Sequence, residues 1–167
     1  MSLTSHAERA WLIIVSMRYL LALLAIAGIV VSTLVLQVHY STGVQPCSIN
    51  EKWDCGIVNH SSFAMMGKVP VAAIGILGYI VLCVLALTRQ RLLLMLAAFG
   101  GFCFALRLSM IEQYALGVWC LYCVYSQCII TLLLLLAIGW HAAEYIRLRR
   151  AVAERETALR HPNTTER

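Results

Sequence analysis

Charged residues are scarce in this sequence. Only 13% of the 167 residues are charged, whereas 61% are hydrophobic. Soluble domains are about one quarter charged and about half apolar. A chain of this composition cannot cover its apolar surface with polar side chains in water. The scarcity of charge therefore argues against an ordinary soluble domain and indicates a membrane protein.

A cleavable secretory signal is also lacking. The first long apolar run begins near Tyr19 and ends in Gln37, Val38 and His39, with no small-residue cleavage site after it. We therefore expect this run to be retained as a membrane span. The formal charge is +5, and six of the 13 lysines and arginines are arginines after residue 140. This distribution indicates a cytoplasmic tail near anionic lipid and argues against nucleic-acid binding.

Four apolar segments are long enough to cross a membrane. About 20 apolar residues span roughly 30 Å of hydrocarbon, at about 1.5 Å of helix rise per residue. The predicted spans cover residues 19–38, 69–87, 92–111 and 116–139. The sequence thus predicts an all-α membrane protein, a four-transmembrane-helix bundle with a long extracytoplasmic first loop, 39–68, that contains a short helix.

Lysine and arginine near the span ends predict the orientation of this bundle. One side carries Arg9, Arg18, Arg89, Arg91, Arg147, Arg149 and Arg150, and the other carries Lys52 and Lys68. The arginine-rich side is therefore expected to be cytoplasmic. The chain then divides into a cytoplasmic N-terminal segment (1–18), a membrane domain (19–139) and a cytoplasmic tail (140–167), which is expected to form an exposed helix.

Two pairs of cysteines are predicted to meet at the extracytoplasmic face. Cys47 and Cys55 lie in the first loop, while Cys120 and Cys123 form a C-x-x-C in the first turns of span four. Residues i and i+3 share one face of a helix, and C-x-x-C motifs often hold a reactive thiolate. A flexible loop pair can meet a soluble partner and then the buried pair, as direct thiol–disulfide exchange requires.

Other interpretations of the cysteines stay open at this point. The C-x-x-C pair is compatible with two inert core thiols, and the loop pair with one structural disulfide. A zinc site of four cysteines is less favoured, because four thiolates at a membrane edge would need a rigid soluble knuckle. Cys83, Cys103 and Cys128 lie inside spans without a partner at C-x-x-C spacing, so a packing role is expected for them.

A longer pattern connects the two pairs. Cys-x7-Cys is followed by Ser61, Phe-Ala and Gly-x-x-Pro, which lead into the second span, and C-x-x-C opens the fourth. This order resembles the vitamin K epoxide reductase family, and its bacterial members more than the animal enzyme, over roughly residues 19–139. The resemblance implies a four-helix membrane bundle around a quinone. It also implies an electron relay: Cys47 meets a thioredoxin-like partner, Cys55 attacks Cys120, and Cys123 is the thiolate beside the quinone.

The resemblance also implies a set of residues in the quinone pocket. Ser61 matches a family serine that supports the site, and Asn59 and His60 lie where pocket-lining residues are expected. Gln127 replaces a tyrosine with which animal members donate a hydrogen bond to the quinone. An amide also donates, so quinone binding is still expected, whereas vitamin K epoxide is a less favoured substrate. His60 is either a proton shuttle or an ordinary interfacial histidine.

These features predict a quinone-dependent thiol–disulfide oxidoreductase of a bacterial inner membrane. Ubiquinone or menaquinone is the expected electron acceptor, with no metal. Many bacterial members continue into a fused thioredoxin-like domain, whereas this chain ends after a short tail on the other face. A separate extracytoplasmic DsbA-like oxidoreductase is therefore the expected partner. Strongly oxidising partners of this type have reduction potentials of about −120 mV. A quinone with a higher potential accepts electrons from them through the protein.

Three alternatives remain. A DsbB-type protein also has four spans and two cysteine pairs, but its C-x-x-C lies in the first outer loop, which is the reverse of the order here. A non-catalytic four-span scaffold with a structural loop disulfide would tolerate the loss of Cys120 and Cys123. A quinone or vitamin K epoxide reductase that serves cofactor recycling is mildly disfavoured by Gln127.

Overall fold

The computed structural model describes residues 3–41 and 47–160. Within these residues the chain forms five α-helices: α1 (Leu3–Tyr40), α2 (Cys55–His60), α3 (Val71–Leu87), α4 (Arg91–Ile111) and α5 (Leu121–Arg160). A two-stranded antiparallel hairpin, β1 (Met65–Met66) and β2 (Val69–Pro70), lies between α2 and α3. A π-helical turn, Glu112–Leu116, follows α4.

The four apolar helices α1, α3, α4 and α5 form a bundle. Going round it, α1 packs against α3, α3 against α4, α4 against α5, and α5 against α1. The core contains large side chains and alanines that let the helix backbones approach each other. Its members include Leu21, Ala25, Leu82, Ala86, Leu94, Ala98 and Leu133. Many large apolar side chains lie on the outside of the bundle, as is expected where a surface faces lipid.

The prediction of a helical membrane protein is confirmed in its coarse form. Among the described residues, three helical stretches are long and apolar enough to cross a membrane: Ser16–Tyr40, Arg91–Leu116 and Leu121–Thr157. The segment predicted as the second span, 69–87, corresponds to α3, an apolar helix of 17 residues. It starts at Val71 because Val69 and Pro70 belong to β2.

Helix bounds differ from the predicted span bounds at both ends of the chain. α1 already begins at Leu3, and α5 continues to Arg160. Hydropathy locates where a helix stops being apolar, whereas backbone hydrogen bonding continues into polar sequence. The fourth long helix begins at Leu121 and not at residue 116, because Gly117 adopts a left-handed conformation with φ of 69° that interrupts the helix.

Candidate functional site

Two segments that are distant in sequence are joined by backbone hydrogen bonds just ahead of their cysteines. The Trp119 N–H donates to the Lys52 carbonyl oxygen at 2.8 Å, and the Asp54 N–H donates to the Trp119 carbonyl oxygen at 3.1 Å. The Trp53 and Trp119 rings lie beside each other, with centroids 6.4 Å apart. Because Cys55 follows Asp54 and Cys120 follows Trp119, this pairing brings the two cysteine segments together.

Asp54 fixes where α2 begins. Its carboxylate Oδ1 accepts the backbone N–H groups of Gly56 at 2.8 Å and Ile57 at 3.1 Å, as an N-cap does. The Ser48 hydroxyl donates to the same oxygen at 2.8 Å. These bonds, that from Ser48 above all, hold the pKa of Asp54 below its usual value. The first helical residue is therefore Cys55.

The structure places the four cysteines of the predicted relay together. Cys47 and Cys55 form a disulfide, and Cys120 and Cys123 are free thiols. Cys47, Cys55 and Cys120 are buried in one cluster with Val38, Val58 and Val118, and Cys123 packs against this cluster. The Cys120 and Cys123 side chains are hydrogen-bonding neighbours of each other. Cys120 directly precedes α5 and Cys123 lies in its first turn.

Asn59 links the loop pair to the C-x-x-C pair. Its side chain is 5% exposed, and its Nδ2 donates to the Cys55 carbonyl oxygen at 2.8 Å. The same nitrogen lies 3.6 Å from the Cys120 sulfur. One amide thus contacts both the backbone of the loop cysteine and the sulfur that faces it from the start of α5.

Glu112 is a component of the site that lies in the short connection between the predicted third and fourth spans, 112–115, and that the sequence analysis did not single out. It is 2% exposed, and its Oε2 accepts the Cys120 N–H at 3.0 Å. Its carboxyl group also lies close to the Cys123 side chain, and both residues line the cavity described next. A carboxylate eight residues before a C-x-x-C, at the predicted membrane edge, was the signal available in the sequence.

A cavity of about 520 Å³ lies inside the bundle beside Cys123. Most of its walls are apolar side chains of α1, α3 and α4, and α2 contributes Val58 and Asn59. Polar groups in the walls include Asn59, Ser61, Tyr79, Glu112, Cys123 and Ser126. Ligand cavities of about 300–1,000 Å³ with apolar walls and a few polar groups are typical of small-molecule sites. The volume and the mostly apolar walls suit a small, largely apolar molecule with a few polar atoms.

The residues predicted for the quinone pocket occupy different positions. Asn59 and Ser61 line the cavity, whereas His60 and Gln127 are not among its lining residues. The His60 side chain is exposed, its Nδ1 lies 2.8 Å from the Gly56 carbonyl oxygen, and its ring stacks on His39. The Gln127 Oε1 is buried and has no hydrogen-bond partner among residues 3–41 and 47–160.

Tyr79 is a second residue of the cavity that sequence reasoning missed. It is 5% exposed, and its hydroxyl oxygen lies 2.9 Å from both the carbonyl oxygen and the hydroxyl of Ser126 on α5. The sequence signal was weak, because one tyrosine in an apolar span is also an ordinary core residue. The Tyr79 to Ser126 contact ties α3 to α5 in the wall of the cavity.

The other cysteines lie away from this site. Cys83 is half-buried and packs against the main core, and Cys103 and Cys128 are exposed on the bundle surface. The packing role expected for all three therefore applies to Cys83 and not to Cys103 or Cys128. The part of the chain that the structure describes contains no group of three or more His, Cys, Asp or Glu side chains suited to a metal ion.

A comparison with models of known protein families identifies a match over most of the chain. The family model described as Vitamin K epoxide reductase family matches residues 19–138, which is more than half of the chain and includes both cysteine pairs. No curated protein matches the chain significantly.

Proposed function

Because the chain belongs to the vitamin K epoxide reductase family, we propose that it is a quinone-dependent thiol–disulfide oxidoreductase that supports disulfide bond formation. The family is one of oxidoreductases that combine quinone and disulfide chemistry in membranes. The specific reaction proposed is the reoxidation of an extracytoplasmic thioredoxin-like partner at the expense of ubiquinone or menaquinone. The membrane domain is proposed to comprise residues 19–139, in a bacterial inner membrane.

One observation carries this proposal: Cys123 lines the apolar cavity and also packs against the buried cluster that contains the other three cysteines of the relay. The thiol of Cys123 is in the cavity wall, and Cys55 and Cys120 belong to one buried cluster. Thiol–disulfide exchange needs direct contact between an attacking thiolate and a target sulfur. A structural disulfide alone gives no reason for two further free thiols to be buried against it.

The proposed relay balances in atoms and electrons. A partner dithiol reduces the Cys47–Cys55 disulfide and leaves as a disulfide. The Cys55 thiolate then attacks Cys120 of a Cys120–Cys123 disulfide and releases Cys123, and the Cys47 thiolate attacks Cys55 and releases Cys120. The Cys120–Cys123 dithiol finally loses two electrons and two protons as its own disulfide forms. Those two electrons and two protons go to the quinone substrate, which is reduced to a quinol.

The residues around the cavity suit it to hold a quinone. The apolar walls, mostly from α3 and α4, exclude water from the ring. Asn59, Ser61 and Tyr79 are the proposed polar contacts of the quinone, because all three line the cavity. In the structure they donate to the carbonyl oxygens of Cys55, Val58 and Ser126, so a hydrogen bond to a quinone oxygen replaces one of these bonds. His60 and Gln127 remain candidates for a supporting role, His60 from the exposed side of α2 and Gln127 from one turn beyond Cys123.

We propose that α3 also crosses the membrane, which gives four spans. Its 17 residues make a helix of about 25 Å at about 1.5 Å per residue. That length is a few ångströms short of the hydrocarbon core, a mismatch that local thinning and flanking residues accommodate. Both termini then lie in the cytoplasm, on the side of Arg89 and Arg91, and the cysteine end faces outwards.

The direct test is quinone reduction by the purified protein in detergent. A reduced thioredoxin-like oxidoreductase serves as electron donor, and a soluble ubiquinone or menaquinone analogue serves as acceptor. We expect turnover in the wild type and its loss in Cys123→Ala. Cys128→Ala is the matched control, because Cys128 lies on the same helix and is exposed away from the site. Turnover that survives Cys123→Ala would contradict the relay.

A further inference from the structure

Glu112 is a buried carboxyl in the wall of the cavity. It is 2% exposed and is the only charged residue among the described residues that line the cavity. Across the part of the chain that the structure describes, the one ion pair joins Arg91 to Glu144, so no described cation neutralises Glu112. Burial of an ionisable side chain without an opposite charge is costly, and such groups in a cavity are candidates for function.

Glu112 lies beside both residues of the C-x-x-C pair. Its Oε2 accepts the backbone N–H of Cys120 at 3.0 Å, and its carboxyl group lies close to the Cys123 side chain. Cys123 and Glu112 line the same cavity. Glu112 opens the π-helical turn that follows α4, and such turns are frequent at functional sites. The carboxyl therefore lies beside the sulfur that is to be oxidised and in the wall of the space for the acceptor.

We propose that Glu112 is a catalytic residue that carries a proton from the Cys123 thiol to the electron acceptor in the cavity. This inference rests on the proposed function. The S–H bond of Cys123 breaks and its proton moves to the Glu112 carboxylate, which leaves a Cys123 thiolate. As the Cys120–Cys123 bond forms, two electrons leave the sulfurs for the quinone. The quinone oxygens take one proton from Glu112 and the second from the Cys120 thiol, and Glu112 returns to its carboxylate form.

A purely structural role for Glu112 makes a different prediction. Through the Cys120 N–H, the carboxyl also satisfies a backbone donor at the start of α5. Glu112→Gln keeps an oxygen that can accept this N–H but cannot take up a proton from a thiol. Glu112→Asp keeps the carboxyl on a shorter side chain. The two variants therefore separate proton transfer from capping.

The first arm measures single-turnover quinol formation. Wild type and variants are reduced, freed of excess reductant and mixed with a short-chain quinone. We expect Glu112→Gln to be slower by roughly 100-fold, the lower end of what general acid–base catalysis contributes. Glu112→Asp should recover part of the rate, and Gln113→Ala, an exposed neighbour, should match wild type. A Glu112→Gln rate within twofold of wild type, or an equal loss in Gln and Asp variants together with a lowered melting temperature, would overturn the proposal.

The second arm uses no quinone and follows alkylation of Cys123 against pH. In a Cys120→Ser background, mass spectrometry of the Cys123 peptide reports its reaction with iodoacetamide. A thiol and a carboxyl that share a proton titrate in two coupled steps, so two steps are expected with Glu112 and one with Glu112→Gln. Two other titratable groups lie near the site: Tyr79 on α3, and His39 on α1, which contacts the Asn59 carbonyl oxygen. Both are present in the Glu112 protein and in the Glu112→Gln variant, so neither accounts for a difference between their profiles. Identical profiles would overturn the proposal.

The two experiments distinguish a failure of the proposed function from a failure of the proposed role of Glu112. If wild-type protein forms no quinol with any quinone, the proposed function fails. If wild-type protein forms quinol and Glu112→Gln behaves like it in both arms, only the role of Glu112 fails.

Discussion

The side-chain nitrogen of Asn59 lies 3.6 Å from the sulfur of Cys120, although the two residues are 61 positions apart. The same nitrogen donates to the carbonyl oxygen of Cys55. Through this one amide, the short helix that carries the loop cysteine is held against the cysteine that precedes α5. The geometry of the proposed transfer from Cys55 to Cys120 therefore depends on Asn59.

Removal of the Asn59 amide should slow that transfer. We expect Asn59→Ala to reduce reoxidation of the loop pair by roughly tenfold, since misplacement by about 1 Å can cost up to about 100-fold. The loss of one buried hydrogen bond should lower the free energy of unfolding by about 1 kcal/mol. Stopped-flow reoxidation and thermal unfolding measure the two effects. Ile57→Ala, on the exposed face of the same helix, should change neither, and an equal effect there would contradict this role.

Gly117 sets the position of Cys120. Its φ of 69° is in the left-handed region, with no other atom within 4 Å of an added Cβ, so the cost of a side chain is conformational. We expect Gly117→Ala to destabilise the protein by about 1–2 kcal/mol and to slow quinone reduction. Gly67→Ala is the matched control because its φ is 65° and its surroundings are also open. It should lower stability to a similar extent but leave quinone reduction unchanged.

Gly28 leaves room for the Tyr79 ring in the cavity wall. A Cβ on Gly28 would overlap the ring of Tyr79, which must then move away from Ser126. We expect Gly28→Ala to cost about 1–3 kcal/mol of stability, as overpacking does, and to raise the KM for the quinone. Gly139→Ala, where an added Cβ meets nothing within 4 Å, should leave KM unchanged. Steady-state kinetics with varied quinone concentration measures the difference, and an unaltered KM in Gly28→Ala would contradict the assignment of the cavity.

Asp54 should make the loop sensitive to acid. The pKa of Asp54 is lowered in the folded protein, mainly by the Ser48 hydroxyl. The ionised Asp54 carboxylate therefore stabilises the folded protein at pH values above the unfolded-state pKa of about 3.9. That effect is lost as the pH falls through the lower, folded-state pKa. The side chain introduced by Asp54→Asn can still cap α2 but does not titrate. We therefore expect melting temperature to fall more steeply below about pH 4 in wild type than in this variant, with Glu51→Gln as an exposed control that follows wild type.

Part of this fold was predictable from the sequence because hydropathy and cysteine spacing are local signals. They indicated the apolar helices and the two cysteine pairs, and the longer motif indicated the family, which the family match confirms. The start of α5 was predicted five residues too early, because the left-handed turn at Gly117 and the pairing of Trp119 with loop one are tertiary features.

The wall of the cavity could not be derived from spacing alone. Asn59 and His60 are neighbours in a six-residue helix, so their side chains point about 100° apart at 3.6 residues per turn. Only the packing of that helix decides that Asn59 is buried and His60 exposed. Glu112 belongs to a polar turn in the sequence, but a π-helical turn buries it beside Cys120.

The most direct test of the relay is to trap its central intermediate. If Cys55 attacks Cys120, then Cys47→Ala protein cannot resolve the product, and a Cys55–Cys120 disulfide should accumulate once the protein is oxidised by quinone. Mass spectrometry of peptides from alkylated, unreduced protein identifies the link, with Cys55→Ala as the matched variant, in which Cys47 should not be found bonded to Cys120. A dominant Cys55–Cys120 linkage is the predicted result. Its absence, or equal linkage of Cys47 to Cys120 in the matched variant, would contradict the account.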